Sequence, residues 1–517
     1  MKKIFTFFAA LVCAAQMMAV TTQEVCGRFD GNLNIGGALY SNKSVFLLPG
    51  AVKNTVTFVL PDFKYQAGKL GNIVLPNIPM MESGMLVLED ATLYLDSISE
   101  RATITVINGL EDEGYVYNSI VSPSAAQVIL SIAAPSLPEP IFVLFQGEAV
   151  RTNNYALTNG GFEGEWTNNE PAGWHSFGSA TGLMVDFVKE NTFQFVASNE
   201  VRPGSEGTQS ALVSSNMVFG VKANGNITNG QMNAGSMTAD DAAGNYNFSD
   251  PTNEGFNTPL QGRPDSIVFW TKYQPADLDP NNEVNKARVS AVLTTAARYQ
   301  DPEGEGDYNA VKLASAVANY AATPSLGWQR IAVPFAYELA NLDKQPAYIL
   351  TTFTTNMVPG GGSSYSTGSS LSKRNVLDSV YVDDVELVYN KELAAFTKGA
   401  QTLDFADKKA VSEDNYCDDC AKFAALGDGI SAQTFIAFDA THKCIFVYVI
   451  ADDYAQSGAY NLYRVEFADS QTGDLDPTEA IDDILEENVP CTKILRDGQL
   501  YILYNGTMYN VHGQVVK

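Results

Sequence analysis

The sequence predicts an all-β protein, and three observations carry that expectation. Short runs of alternating apolar and polar residues recur along the chain, the period of half-buried strands. Turn dipeptides such as Asn108-Gly109, Asp497-Gly498 and Asn505-Gly506 punctuate them. The 517 residues are 45% hydrophobic and 18% charged with 41 glycines spread throughout, a composition of folded, turn-rich domains rather than disorder. At about 150 residues per domain this length suggests three or four domains. The 59 acidic against 32 basic side chains give a net charge of -27, which argues against a nucleic-acid partner.

The first element, residues 1–19, reads as a signal peptide. Lys2 and Lys3 precede an apolar run from Ile4 to Val12 and a small-residue region that ends near Ala19. The run is too short to span a bilayer, and no later stretch reaches about 18 consecutive apolar residues. Cleavage near Ala19 then leaves a secreted or cell-surface protein, in the periplasm or outside the outer membrane. Residues 27–150 follow as a first β body, with the strand-like segments FDGNLNI, VTFVLPDFKY, LGNIVLPNI, LYLDSI, ATITVI and IFVLF, enough to close a small barrel. The order of Gly27 to Leu33, Thr57 to Tyr65 and Gly71 to Ile78 resembles the calycin-like, lipocalin-type barrel of exported Bacteroidetes proteins. That resemblance implies either a small apolar ligand in the barrel or an interior filled by side chains.

A second body, residues 155–390, holds all four tryptophans, Trp166, Trp174, Trp270 and Trp328. It opens on LTNGGFEGEW and PAGW and closes on DSVYVDDVELVY, with ANGNITNG (Ala223 to Gly230), GRPDSIVFWTKYQP and GWQRIAVPFAY between them. In this order the motifs resemble the jelly-roll, carbohydrate-binding-module-like carbohydrate metabolism domain of gut Bacteroidetes, which implies a carbohydrate partner. Residues 400–470 read as a small acidic β module and 471–490 as an acidic linker; Gln401 to Pro490 holds 19 acids and 5 bases. Residues 491–517 read as three very short strands. The string KILRDGQLYILYNGTMYNVHGQVVK resembles the C-terminal sorting domain of type IX secretion, which implies outer-membrane secretion machinery as a partner.

Glycan recognition needs flat aromatic faces and planar polar groups. Trp166 flanks a loop with Asn168 and Asn169, while the resemblance to jelly rolls implies core positions for Trp174 and Trp328. In the strand from Ser266 to Tyr273, Ile267 and Phe269 share one face and Val268 and Trp270 the other, and either face suits exposure. Trp270 and Tyr273 are the preferred platform, with Trp166, Asn168 and Asn169 next. Resemblance to carbohydrate-binding jelly rolls further implies a structural calcium between Glu163 of the opening motif and Asp383 or Asp384 of the closing one. Cys417, Cys420, His442 and Cys444 have a spacing that permits zinc, but export favours a disulfide among these cysteines. No carboxylate pair, catalytic triad or phosphate loop stands out, so catalytic residues stay unassigned. The reading is an exported glycan-binding protein, with a glycan-cleaving or glycan-modifying enzyme and a structural adhesion protein as rivals.

Overall fold

The computed structural model describes residues 19–65, 68–95, 100–112, 115–151, 154–187, 195–218, 221–276, 285–358, 378–416, 423–473, 475, 492–496, 499–504 and 507–510. Apart from Ala19, the leader lies outside the described residues. The chain is nearly all β, as its alternation predicts. Among the described residues no helix is long and apolar enough to cross a membrane.

The first body contains β1 (Gly27–Ile35), β2 (Ala38–Pro49), β3 (Thr55–Tyr65), β4 (Gly68–Pro79), β5 (Ala91–Leu95), β6 (Glu100–Val106), β7 (Asn108–Asp112), β8 (Tyr115–Asn118), β9 (Ile120–Val121), β10 (Ala125–Ala133) and β11 (Ile141–Ala149). One antiparallel sheet runs β4-β3-β2-β1-β11-β10-β6-β5, with β9 beside β10. This sheet is nearly closed and barrel-like. Gly36 and Gly37, both at positive φ, make the two-residue turn that pairs Ile35 with Ala38. Alternation sends Ile141, Val143 and Phe145 of β11 inward, where they share one apolar core with Phe29, Phe58 and Phe63. Asn108-Gly109 is not the tight turn its composition suggests. Asn108 pairs with Asn118 across the β7–β8 hairpin, and the ladder bulges at Gly109.

The second body comprises β12 (Trp166–Thr167), β13 (Glu170–Pro171), β14 (Phe195–Ser198), β15 (Ser210–Ser214), β16 (Asn216–Val218), β17 (Val221–Ala223), β18 (Asn226–Thr228), β19 (Gln231–Ala234), β20 (Asn245–Ser249), β21 (Ser266–Gln274), β22 (Ala287–Thr294), β23 (Tyr299–Asp301), β24 (Lys312–Tyr320), β25 (Gln329–Pro334), β26 (Ala336–Tyr337), β27 (Tyr348–Thr354) and β28 (Ser379–Val388). Two five-stranded sheets, β14-β15-β28-β21-β25 and β18-β27-β22-β24-β26, share one core. The first supplies Ile267, Phe269 and Val382 and the second Val289, Ala291 and Phe353, with Trp174 buried among them. A third sheet, β19-β20-β23, lies over the outer face of the second.

The acidic C-terminal region folds as β29 (Leu393–Lys398), β30 (Gln401–Thr402), β31 (Lys409–Val411), β32 (Phe423–Gly427), β33 (Gln433–Asp439), β34 (Cys444–Ile450) and β35 (Tyr460–Glu466). Every residue of β34 is buried, a pattern that a strand buried on both faces shows. Ile445, Val447 and Val449 enter the module's own core, whereas Phe446, Tyr448 and Ile450 pack on Phe46, Leu48, Val59 and Val74 of the barrel wall. Polar contacts fix this seat: Tyr454 Oη donates to the Leu47 carbonyl at 2.9 Å, and Asn77 Nδ2 donates to Asp439 at 2.7 Å. The module also holds the sandwich, because Asp265 accepts from the backbone N–H of Asn390 and Ile430 and from the Ser431 hydroxyl. Most of the acidic linker lies outside the described residues. Beyond it, β36 (Thr492–Arg496), β37 (Gln499–Tyr504) and β38 (Thr507–Asn510) form a small antiparallel sheet, the three short strands expected.

Candidate functional site

A pocket of about 430 Å³ lies between the outer face of the second sandwich sheet and the three-stranded sheet above it. Its floor follows from strand alternation. Odd residues of β22 (Ala287, Val289, Ala291, Leu293) go to the core, so Arg288 and Ser290 face outward. Ladder register then sets Asn226 of β18, Thr354 of β27 and Arg288 of β22 in one row across three strands. The facing sheet sets Met232, Asn247 and Asp301 in a second row by the same means. The two rows are tied together. Arg288 Nη1 and Nη2 reach the Asp301 carboxylate at 3.3 and 3.5 Å, and Asn226 Nδ2 donates to Asn247 Oδ1 at 3.2 Å. Met184, Phe187, Met237 and Met357 supply apolar wall.

Phe177 also lines the pocket, and Glu170 positions the turn that carries it. Glu170 Oε1 accepts from the backbone N–H of Ser176 and Ser179 at 2.8 and 3.2 Å, and Oε2 lies 3.2 Å from His175 Nδ1. The chemistry offered is thus a polar, amide-rich floor under a thioether and phenyl wall, with Asp301 the one carboxylate among the described lining residues.

None of the residues favoured from the sequence lines this pocket. Tyr273 cannot be a platform as the sequence reading required: it is fully buried and shares the core face of β21 with Ile267 and Phe269, because odd and even positions of a strand face opposite ways. Trp270 is on the other face, half-buried, with the Arg202 guanidinium 5.4 Å from its ring centroid. Trp328 is not in the core either; it is half-buried on that outer face, edge-on to Tyr381. Trp166 packs on Phe195 at 4.8 Å, and its indole N–H is shared by the Phe162 carbonyl and Gln209. Asn168 and Asn169 are exposed, both left-handed, and form the turn joining β12 to β13. The sequence signal that did touch the pocket was the run ANGNITNG, through Asn224 and Asn226.

The acids of the opening and closing motifs do meet. A Cβ at Gly161 would lie 3.4 Å from Asp384 Oδ1 and 3.7 Å from Glu163 Cγ. Their charges, however, are compensated within the chain. Glu163 accepts from Thr208 and Gln209 N–H at 2.9 and 3.0 Å and from the Thr208 hydroxyl, Asp384 pairs with the Arg202 guanidinium, and Asp383 accepts from Arg202 and Asp384 N–H. Calcium requires 6 to 8 oxygen ligands. This set, with an arginine already in place, does not fit that cage, and among the described residues no cluster of three metal-ligating side chains occurs.

Burial pushes the Asp383 carboxyl up to about 6, with the Asp384 charge adding to the shift and the two N–H bonds opposing it. An unfolded aspartate ionises near about 4. The folded state therefore holds its proton more tightly, and stability should fall as pH rises from about 4 to about 6, by at most about 3 kcal/mol. In Asp383→Asn that slope should flatten, although an amide accepts fewer N–H bonds and the overall level should drop. Denaturant midpoints across this pH range measure it, and an unchanged slope would show that Asp383 is not the group responsible.

Cys444 is a buried free thiol whose Sγ donates to the His442 carbonyl at 3.4 Å, and His442 Nδ1 bonds Asp439 Oδ2 at 2.6 Å. Cys417 and Cys420 lie outside the described residues.

No family model and no curated protein matches the chain. Solved structures similar to it include a "putative glycoside hydrolase" from Bacteroides thetaiotaomicron, 12% identical with a TM-score of 0.30, over 57% of this chain and 88% of that one. Another is a "putative outer membrane protein" from Bacteroides fragilis, 17% identical with a TM-score of 0.16, over 25% of this chain and 52% of that one. At these TM-scores neither likeness bears on the chemistry of the pocket.

Proposed function

We propose that this chain is an exported, surface-associated carbohydrate-binding protein whose central sandwich takes a glycan into the pocket above Arg288. The observation that carries the reading is the meeting of two polar strand rows, Asn226-Thr354-Arg288 and Asn247-Asp301, under an apolar wall. Sugars combine hydroxyl groups with C–H faces, and a mostly apolar pocket with a few convergent planar polar groups serves both. Binding fits better than hydrolysis. Cleavage of a glycosidic bond needs two carboxylates across the substrate, and among the described lining residues Asp301 is the one carboxylate and is engaged by Arg288. The basic and apolar leader supports export, and the tail from Cys491 serves as its sorting element.

The test is retention of the mature chain on immobilised glycans, with reducing ends assayed in the eluate. Retention without new reducing ends is expected. Asp301→Asn removes the anion that orients Arg288 and should weaken binding roughly tenfold, about 1.4 kcal/mol. Released reducing ends would make the protein an enzyme instead, and full retention by Asp301→Asn would move the site.

A further inference from the structure

Three features of the pocket narrow its ligand beyond carbohydrate in general. The first is charge. Among the described lining residues the charged ones are Arg288 and Asp301, which neutralise each other across 3.3 and 3.5 Å and so offer an acidic sugar no net attraction. The second is a surplus of acceptors. Asn224 and Asn226 spend their amide nitrogens on the Asn356 carbonyl and on Asn247 Oδ1, while their side-chain oxygens, shielded from water, have no partner among the described residues. A shielded, unpaired acceptor is costly and calls for a donor. The third is the wall. Met184, Met232, Met237 and Met357 all line the pocket and no tryptophan does. Flexible thioethers fill gaps around small apolar groups, whereas indole planes suit sugar ring faces.

We infer that the pocket selects a neutral glycan unit that carries an acetamido group, an N-acetylhexosamine. The inference rests on the carbohydrate reading and specifies its substrate class. An acetamido group presents an N–H, a carbonyl and a methyl within a few bonds of one another, and three adjacent residues answer them. Rotation of the Asn226 amide about its last torsion, a broad and soft one, exchanges its bond to Asn247 Oδ1 for one from the ligand N–H to its unpaired oxygen. Asn247, whose oxygen accepts that Asn226 bond at 3.2 Å before the turn, lies beside it, and its amide nitrogen donates to the ligand carbonyl. Met232 is the direct cross-strand neighbour of Asn247 and receives the methyl. A hydroxyl at the same sugar carbon supplies one donor but neither the carbonyl nor the methyl.

Calorimetric titration of the full mature chain with matched oligosaccharides tests this. The pairs differ only at C2: N-acetylglucosamine against glucose oligomers, and N-acetylgalactosamine against galactose oligomers. In at least one pair the acetamido member should bind at least about tenfold tighter. Met232→Ala and Asn226→Ala should cut that preference to about threefold or less, with melting temperature recorded to separate binding from folding. Equal binding of both members, or tighter binding of a uronic acid oligomer, would overturn the acetamido inference and leave the carbohydrate reading standing. If no member of either pair and no uronic acid oligomer binds, both fall. The comparison of ligands on the unaltered chain holds even where a variant fails to fold.

Discussion

Trp174→Ala is expected to cost the central sandwich about 3 to 5 kcal/mol, the range for deleting a large aromatic from a packed core. The side chain is fully buried, with ring centroids 5.0 Å from Phe162 and 6.1 Å from Phe353. Phe162 belongs to the opening motif and Phe353 to the sheet whose other face floors the pocket, so the indole joins the two. Its N–H also donates to the Thr158 and Asn159 carbonyls at 3.1 and 3.0 Å. Alanine removes the packing and those bonds together, whereas Trp174→Phe keeps a ring and should cost about 1 to 3 kcal/mol less. Denaturant unfolding measures both. A Trp174→Ala midpoint within about 1 kcal/mol of the parent would mean that the core closes over the gap.

A chain ended at Asn390 should lose more than a peripheral module. Phe46, Leu48, Val59 and Val74 on the barrel wall are covered by Phe435, Phe446, Tyr448 and Ile450. Each large apolar side chain is worth about 1.5 to 3 kcal/mol when buried, so uncovering four leaves a contiguous sticky face. The shortened chain is expected to self-associate in sedimentation and to melt several degrees lower, by about 4 °C or more. The cut also removes the Tyr454 bond to Leu47 and the partners of Asp265 at Ile430 and Ser431. A monomeric fragment that melts with the parent would show that the barrel wall is stable uncovered. Deleting only residues from Cys491 onward leaves all these contacts in place.

The strands themselves were readable because their cause is local. Alternation in VTFVLPDFKY and IFVLF sets which side chains share a face, and the glycine pair at Gly36-Gly37 has the backbone freedom a two-residue hairpin requires. The buried state of Trp174 was expected from the jelly-roll resemblance alone, which placed Trp328 in the core as well, and Trp328 is half-buried. Asn108-Gly109 misled because a turn-favouring pair also suits a bulge, and Asn108 found a cross-strand partner in Asn118.

The all-β character and the position of most strands are thus properties of neighbouring residues, written in period, turn chemistry and composition. Which face of each strand is covered is not, since coverage depends on a partner far along the chain. Tyr273 and Trp270 looked equally available until packing of the two sheets buried the odd positions of β21. The pocket draws Asn226, Asn247, Arg288 and Asp301 from four strands, and β34 became a doubly covered strand because the barrel wall lies against it. Such sites come into being when register and sheet stacking set distant rows opposite one another, and no local pattern encodes that meeting.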